Sequence, residues 1–144
     1  DTIWAMNSGQ ITLGQLSARI SDYLDRAGIS TRGITFDFDV DNSLDPDYSI
    51  VSSKGIQIYR IVQEAIQNSL KYAYPSQIMV SVAEIDNQFQ LEVKDDGTGF
   101  EESKIKQGNG LYNMRKRAEE LGGKLDIQSE NGKGTAVTLI IPKK

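Results

Sequence analysis

The chain of 144 residues is predicted to be an α+β protein: a mixed, mostly antiparallel sheet covered by helices on one face. Three observations carry this reading. Periodicities occur in the order helix, strand, helix, two strands, helix, two strands; both strand pairs are joined by spacers short enough for hairpins; and one helix carries an apolar arc broad enough to lie on a sheet. A doubly wound parallel sheet needs a regular strand–helix alternation, which this order lacks.

From Leu13 to Ala27, Leu13, Leu16, Ile20 and Leu24 recur at three- and four-residue steps, which predicts an amphipathic helix with Gly28 as its stop. The run "GITFDFDV" alternates with period two as a half-buried strand does, and "DNSLDPDYS" after it is turn chemistry. In the long helix that follows, Ile58, Val62, Ala65, Ile66, Ser69, Leu70 and Ala73 share one arc at about 100° per residue, with Arg60, Gln63, Gln67 and Lys71 opposite. Pro75 ends it. The runs "QIMVSVAEI" and "FQLEVKD", separated by "DNQ", read as a hairpin. Beyond "DDGTGFEESKIKQGNG", the stripe Leu111, Met114, Ala118 and Leu121 predicts a helix that Gly122 and Gly123 stop. A closing hairpin is predicted from "KLDIQSE", the turn "NGKG" and "TAVTLIIP".

Bulk composition removes several classes of function. With 38% hydrophobic residues, the chain has enough apolar material for one core. Its net charge is −4 with cations dispersed among anions, so no electrostatic footprint points to nucleic acid. The absence of cysteine removes disulfides and thiolate metal sites. No apolar run approaches the roughly 20 residues that span a bilayer. The chain begins at Asp1 rather than methionine and is read as a piece of something longer.

Four motifs carry candidate chemistry. Glu64 and Asn68 stand one helical turn apart, at the seam between the buried arc and the exposed one. Such a pair is either a solvated helix edge or a set of oxygen ligands for Mg²⁺, a cation that keeps most of its waters. "DDGTGF", Asp95 to Phe100, follows a strand; it is either a plain tight turn or a place where ligand meets backbone and Asp95 accepts a bond from an exocyclic amine. "GNGL", Gly108 to Leu111, is a glycine-flanked helix cap or a phosphate cradle, and it fits neither the phosphate-loop pattern nor the dinucleotide fingerprint. "GKGT", Gly132 to Thr135, is a hairpin turn by default, and Thr135 stands beside Asp95 if their strands are neighbours.

In this order and spacing, the motifs resemble the ATP-binding domain of the GHKL superfamily, which includes sensor histidine kinases, the DNA gyrase B subunit, a class of heat-shock chaperones and the MutL repair proteins. Within it, "IYRIVQEAIQNSLKYA" and "GNGLYNMRKRAEELGGKLDIQSENGKGTAVTLIIP" look like the NarX/DesK-like group of two-component sensor kinases. The resemblance spans about residues 33–142. It implies a Bergerat-type two-layer α/β sandwich, with residues 1–30 as the end of a dimerisation region or linker helix and 31–144 as the catalytic domain.

The resemblance also implies ATP and Mg²⁺ as ligands. Asn68 would hold the metal that bridges the phosphates, with Glu64 beside it in a catalytic or water-ordering role. Lys71 would lie near the phosphates, and Tyr72 stands where many relatives have a histidine. Asp95 would accept the adenine amino group, Gly97 and Gly99 would shape the pocket floor, and Thr135 would support base recognition through water. Gly108, Gly110 and Leu111 would bracket the lid at the phosphates; the short segment from Gly99 to Gly108 is expected to order over ATP.

The chain has no histidine, so a phosphoacceptor histidine has to lie on a dimerisation domain outside it. The implied partners are that domain and a response regulator receiver domain. A cytoplasmic, monomeric piece is expected, whether or not the parent is anchored in a membrane. The alternatives are a serine kinase of the anti-sigma type and a non-catalytic nucleotide-sensing module of the same fold.

Overall fold

The computed structural model describes residues 9–98, 110–130 and 132–143. The chain forms β1 (Gln10–Thr12), α1 (Leu13–Ser30), β2 (Thr35–Val40), β3 (Ser49–Val51), α2 (Ser52–Asn68) with a π-helical turn (Ser69–Ala73), β4 (Gln77–Ile85), β5 (Gln88–Asp95), α3 (Gly110–Glu120), β6 (Lys124–Glu130) and β7 (Gly134–Pro142). Five strands make the main sheet in the order β2-β4-β5-β7-β6. β2 runs parallel to β4, and every other pairing is antiparallel. The expected mixed, mostly antiparallel sheet is therefore present.

One face of the sheet is covered. Ile78, Val80 and Val82 of β4, Leu91 and Val93 of β5, and Val137 and Leu139 of β7 are buried in one cluster with the helix stripes. On the other face, Met79 and Lys94 are exposed. The helix stripes predicted by periodicity are in the buried cluster: Leu13, Leu16, Ile20 and Leu24 of α1; Ile58, Val62, Ala65 and Ile66 of α2; Leu111, Met114 and Ala118 of α3. Ile61 of α2, outside the predicted arc, joins them. Because α1 contributes to this cluster, its burial is part of what stabilises the sheet.

Helix ends differ from expectation in places. α1 opens with a capping box, in which Thr12 Oγ1 accepts from Gln15 N–H at 3.0 Å and Gln15 Oε1 accepts from Thr12 N–H at 2.9 Å. It runs through Gly28 to Ser30, so Gly28 is not its stop. Thr31 terminates it instead, with its hydroxyl and N–H both donating to the Ala27 carbonyl. α3 stops where predicted: Gly122, with φ +73°, donates to Glu119 O, and Gly123 donates to Ala118 O, both at 2.9 Å. The hairpin between β4 and β5 has a two-residue turn, with Asp86 and Asn87 both at positive φ.

Two features were not expected. β1 and β3 pair antiparallel as a separate two-stranded ribbon, each only three residues long and so too short for an alternation signal. The end of the long helix loosens into the π turn before Tyr74 adopts a left-handed conformation (φ 48°) ahead of Pro75. Such turns concentrate at functional sites.

Candidate functional site

Asp95 is the last residue of β5, and the alternation of the strand turns it toward the helix layer, where it is 6% exposed. Its Cα partner on β7 is Thr135, also 6% exposed, so the expected neighbourhood of these two residues is present. The carboxylate has two donors from different elements. Ser69 Oγ donates to Oδ2 at 2.8 Å, and the Gly97 N–H donates to Oδ1 at 2.8 Å. Thr135 Oγ1 lies 2.8 Å from Ser129 Oγ. Ser69 is the residue that sequence reasoning missed, because it was counted only as part of the buried arc. A hydroxyl on such an arc demands a partner, and that was the available signal.

Close approach explains two of the glycines. A Cβ at Gly97 would stand 2.2 Å from the carbonyl oxygen of Ala73, at the end of the π turn. Only glycine lets the turn after β5 rest there, and the Thr98 N–H then donates to that same oxygen at 2.7 Å. Gly134 has φ +86°, and a Cβ on it would stand 2.3 Å from Asp95 O. The end of the long helix, the turn after β5 and the start of β7 thus meet around Asp95.

Asp96 acts differently from its neighbour. It accepts from Ser76 Oγ at 2.6 Å, Ser76 N–H at 2.8 Å and Gln77 N–H at 2.9 Å. The Ser76 hydroxyl, followed by the Gln77 amide, holds its carboxyl below the ordinary aspartate pKa.

The rest of the predicted set lies along α2 and its extension. Glu64 and Asn68 are both half-buried on the seam of the helix. The Asn68 Nδ2 atom is buried without a hydrogen-bond partner among the described residues. An orphaned buried amide is costly unless a ligand completes it, and either end of the group can be the one presented. Lys71 is exposed, its ammonium 5.4 Å from the ring centroid of Tyr72. The Tyr72 ring is partly buried against the core. Gly110 opens α3, and Leu111 is buried in the core cluster. Gly99 and Gly108 lie outside the described residues.

The donor set suits a cation that brings its own ligands. No group of three or more carboxylate, histidine or cysteine side chains is assembled for a metal among the described residues. One amide and one carboxylate can satisfy Mg²⁺ only together with waters and phosphate oxygens, which is the habit of that ion. A cavity of about 420 Å³ toward the Phe89 end of β5 is lined largely by apolar side chains such as Leu13, Ile20, Ile58 and Leu91, and none of the predicted site residues lines it.

Comparison with known proteins defines the class. The family described as histidine kinase-, DNA gyrase B- and HSP90-like ATPase matches residues 53–144, and the chain belongs to that family. Among curated relatives, the signal transduction histidine-protein kinase/phosphatase DegS of Brevibacillus brevis is 38% identical over 88 residues, which are 60% of this chain. The match spans 23% of that relative.

Solved structures agree on the fold. The histidine kinase domain of the blue-light activated histidine kinase of Erythrobacter litoralis superposes with a TM-score of 0.76 at 21% identity, covering 98% of this chain and 67% of that one. The catalytic domain of histidine kinase ThkA gives 0.71 at 20% identity, covering 93% and 95%. The expected Bergerat-type sandwich is therefore the fold of this chain.

Proposed function

We propose that the chain is the ATP-binding catalytic domain of a two-component sensor histidine kinase, acting on a histidine of a dimerisation domain outside it. The observation that supports this most is the buried Asp95 carboxylate, held by Ser69 and Gly97 beside the helix that carries Asn68, whose buried amide nitrogen has no hydrogen-bond partner among the described residues. A buried carboxylate with open lone pairs suits an exocyclic amine of a purine. Asp95 accepts from the adenine amino group, Gly97 keeps the pocket floor low, and Thr135 supports the base from β7.

The phosphates lie toward Asn68, Lys71 and the start of α3. Asn68 is the residue to hold Mg²⁺, which when bound neutralises charge across the phosphates. Lys71 adds an exposed cation near them. Glu64, one turn before Asn68, is the candidate base or ordering group. Tyr72 offers a phenol in place of an imidazole. In the transfer, the bond between the γ-phosphorus and the β,γ-bridging oxygen breaks, and a bond forms from an imidazole nitrogen to that phosphorus. ADP leaves, and the imidazole proton passes to base or water. The chain contributes positioning and charge complementarity rather than covalent chemistry. A receiver domain then takes the phosphoryl group from the histidine.

The test is calorimetric titration with ATP and ADP, with and without Mg²⁺. Asp95→Ala is expected to weaken both nucleotides by about tenfold or more, the scale of a lost charged hydrogen bond. Asn68→Ala is expected to remove most of the Mg²⁺ dependence. If both variants bind as wild type does, the site is misassigned. Phosphotransfer to a supplied histidine-bearing dimerisation domain separates a kinase from a nucleotide-sensing module.

A further inference from the structure

We propose that Ser69 is a positioning residue that sets selectivity for adenine by fixing the Asp95 carboxylate. This inference rests on the nucleotide-site reading above. Ser69 is 3% exposed and stands where α2 gives way to the π turn. Its backbone N–H is shared between the carbonyls of Ala65 and Ile66, so the residue is anchored by the helix behind it. Its hydroxyl donates to Asp95 Oδ2 while the Gly97 N–H donates to Oδ1.

The geometry assigns the role as follows. The terminal torsion of an aspartate is broad, so a carboxylate with a single donor swings about it. Two donors on different oxygens remove that freedom, and here they come from a helix end and from the turn after β5. The Ser69 hydroxyl is the donor in this bond, so its proton points at Asp95. One lone pair of Oδ2 is thereby used, and the remaining acceptor positions have fixed directions. An amine at the 6-position of a purine then meets a preset acceptor and bears no cost for ordering it. A purine lacking that amine gains nothing from the arrangement.

Ser69 also directly follows Asn68 in sequence. The same helix end therefore supports base recognition through one residue and presents the candidate metal ligand through the one before it. If Ser69 acts through Asp95 alone, its loss affects the base and not the Mg²⁺ dependence.

The experiment titrates the full chain, as wild type, Ser69→Ala and Ser69→Cys, with ADP and with purine riboside diphosphate, each with Mg²⁺. Ser69→Ala is expected to weaken ADP by about five- to tenfold, the worth of one net hydrogen bond, and to leave purine riboside diphosphate within about twofold. The preference for ADP then collapses while the Mg²⁺ dependence stays. Ser69→Cys, close in size with a weak donor, is expected to fall between, and it carries the test if the alanine variant does not fold. An equal loss for both ligands, or an unchanged preference, overturns the role of Ser69. A wild-type chain that shows no preference for ADP, or Asp95→Ala with its preference intact, instead overturns the assignment of Asp95 and the reading beneath it.

Discussion

Two adjacent aspartates, Asp95 and Asp96, have opposite environments. Asp95 is buried with two donors, whereas Asp96 is exposed and ties the end of β5 to the chain entering β4 through Ser76 and Gln77. Because its folded pKa is lowered, Asp96 contributes stability at pH values above its unfolded pKa of about 4, and that contribution is lost as pH falls through the lower folded value. The gain is modest at a solvated position. Asp96→Asn removes the titrating charge but keeps one acceptor. Urea unfolding of the variant is expected to show a small loss of stability at neutral pH and a shallower decline than wild type below about pH 4. Parallel pH profiles for the two proteins would count against this role. Period-two alternation along β5 puts Asp95 on the same face as Leu91 and Val93, and Asp96 falls just after the strand.

At the scale of elements, periodicity made the helix stripes and the hairpins legible, because 3.6-residue and two-residue repeats report burial directly. The ends of elements were less legible. Gly28 looked like a stop, yet its φ is not positive, so it forms no left-handed cap and the helix continues to Ser30. The π turn left no mark in the pattern, since Ser69, Leu70 and Ala73 fit an α-helical arc as well. Its consequence appears only where it meets Gly97. Gly97→Ala drives a methyl carbon into the Ala73 carbonyl, and the helix end or the turn after β5 has to shift. The expected cost is about 1–3 kcal/mol by denaturant unfolding, as for other overpacked contacts. ADP affinity should fall with it, because the displaced N–H is one of the two donors to Asp95. A stable variant with wild-type affinity would show that the two elements do not constrain each other. The candidate site was legible as a set of motifs, whereas the Ser69 link needed three-dimensional placement.

For the whole molecule, the question is what stops an open five-stranded sheet from joining a second copy. Its edges are β2 and β6, and a strand edge is a template for pairing. Asp37 and Asp39 are exposed on β2, and Lys124, Asp126 and Glu130 lie along β6. Antiparallel pairing of β2 with a second β2 would bring two rows of aspartates together, which is destabilising for directly opposed like charges. The net charge of −4 adds a weak general repulsion. On the outer face of the sheet, the exposed Lys94 is the cross-strand partner of the exposed Met79. The 144-residue chain is therefore expected to be monomeric by light scattering at micromolar concentration. Low salt should keep it so, and Asp37→Asn with Asp39→Asn should increase self-association by removing the repulsion at β2. A tight wild-type dimer would mean that a surface other than these edges mediates pairing and that this chain contributes to dimerisation itself.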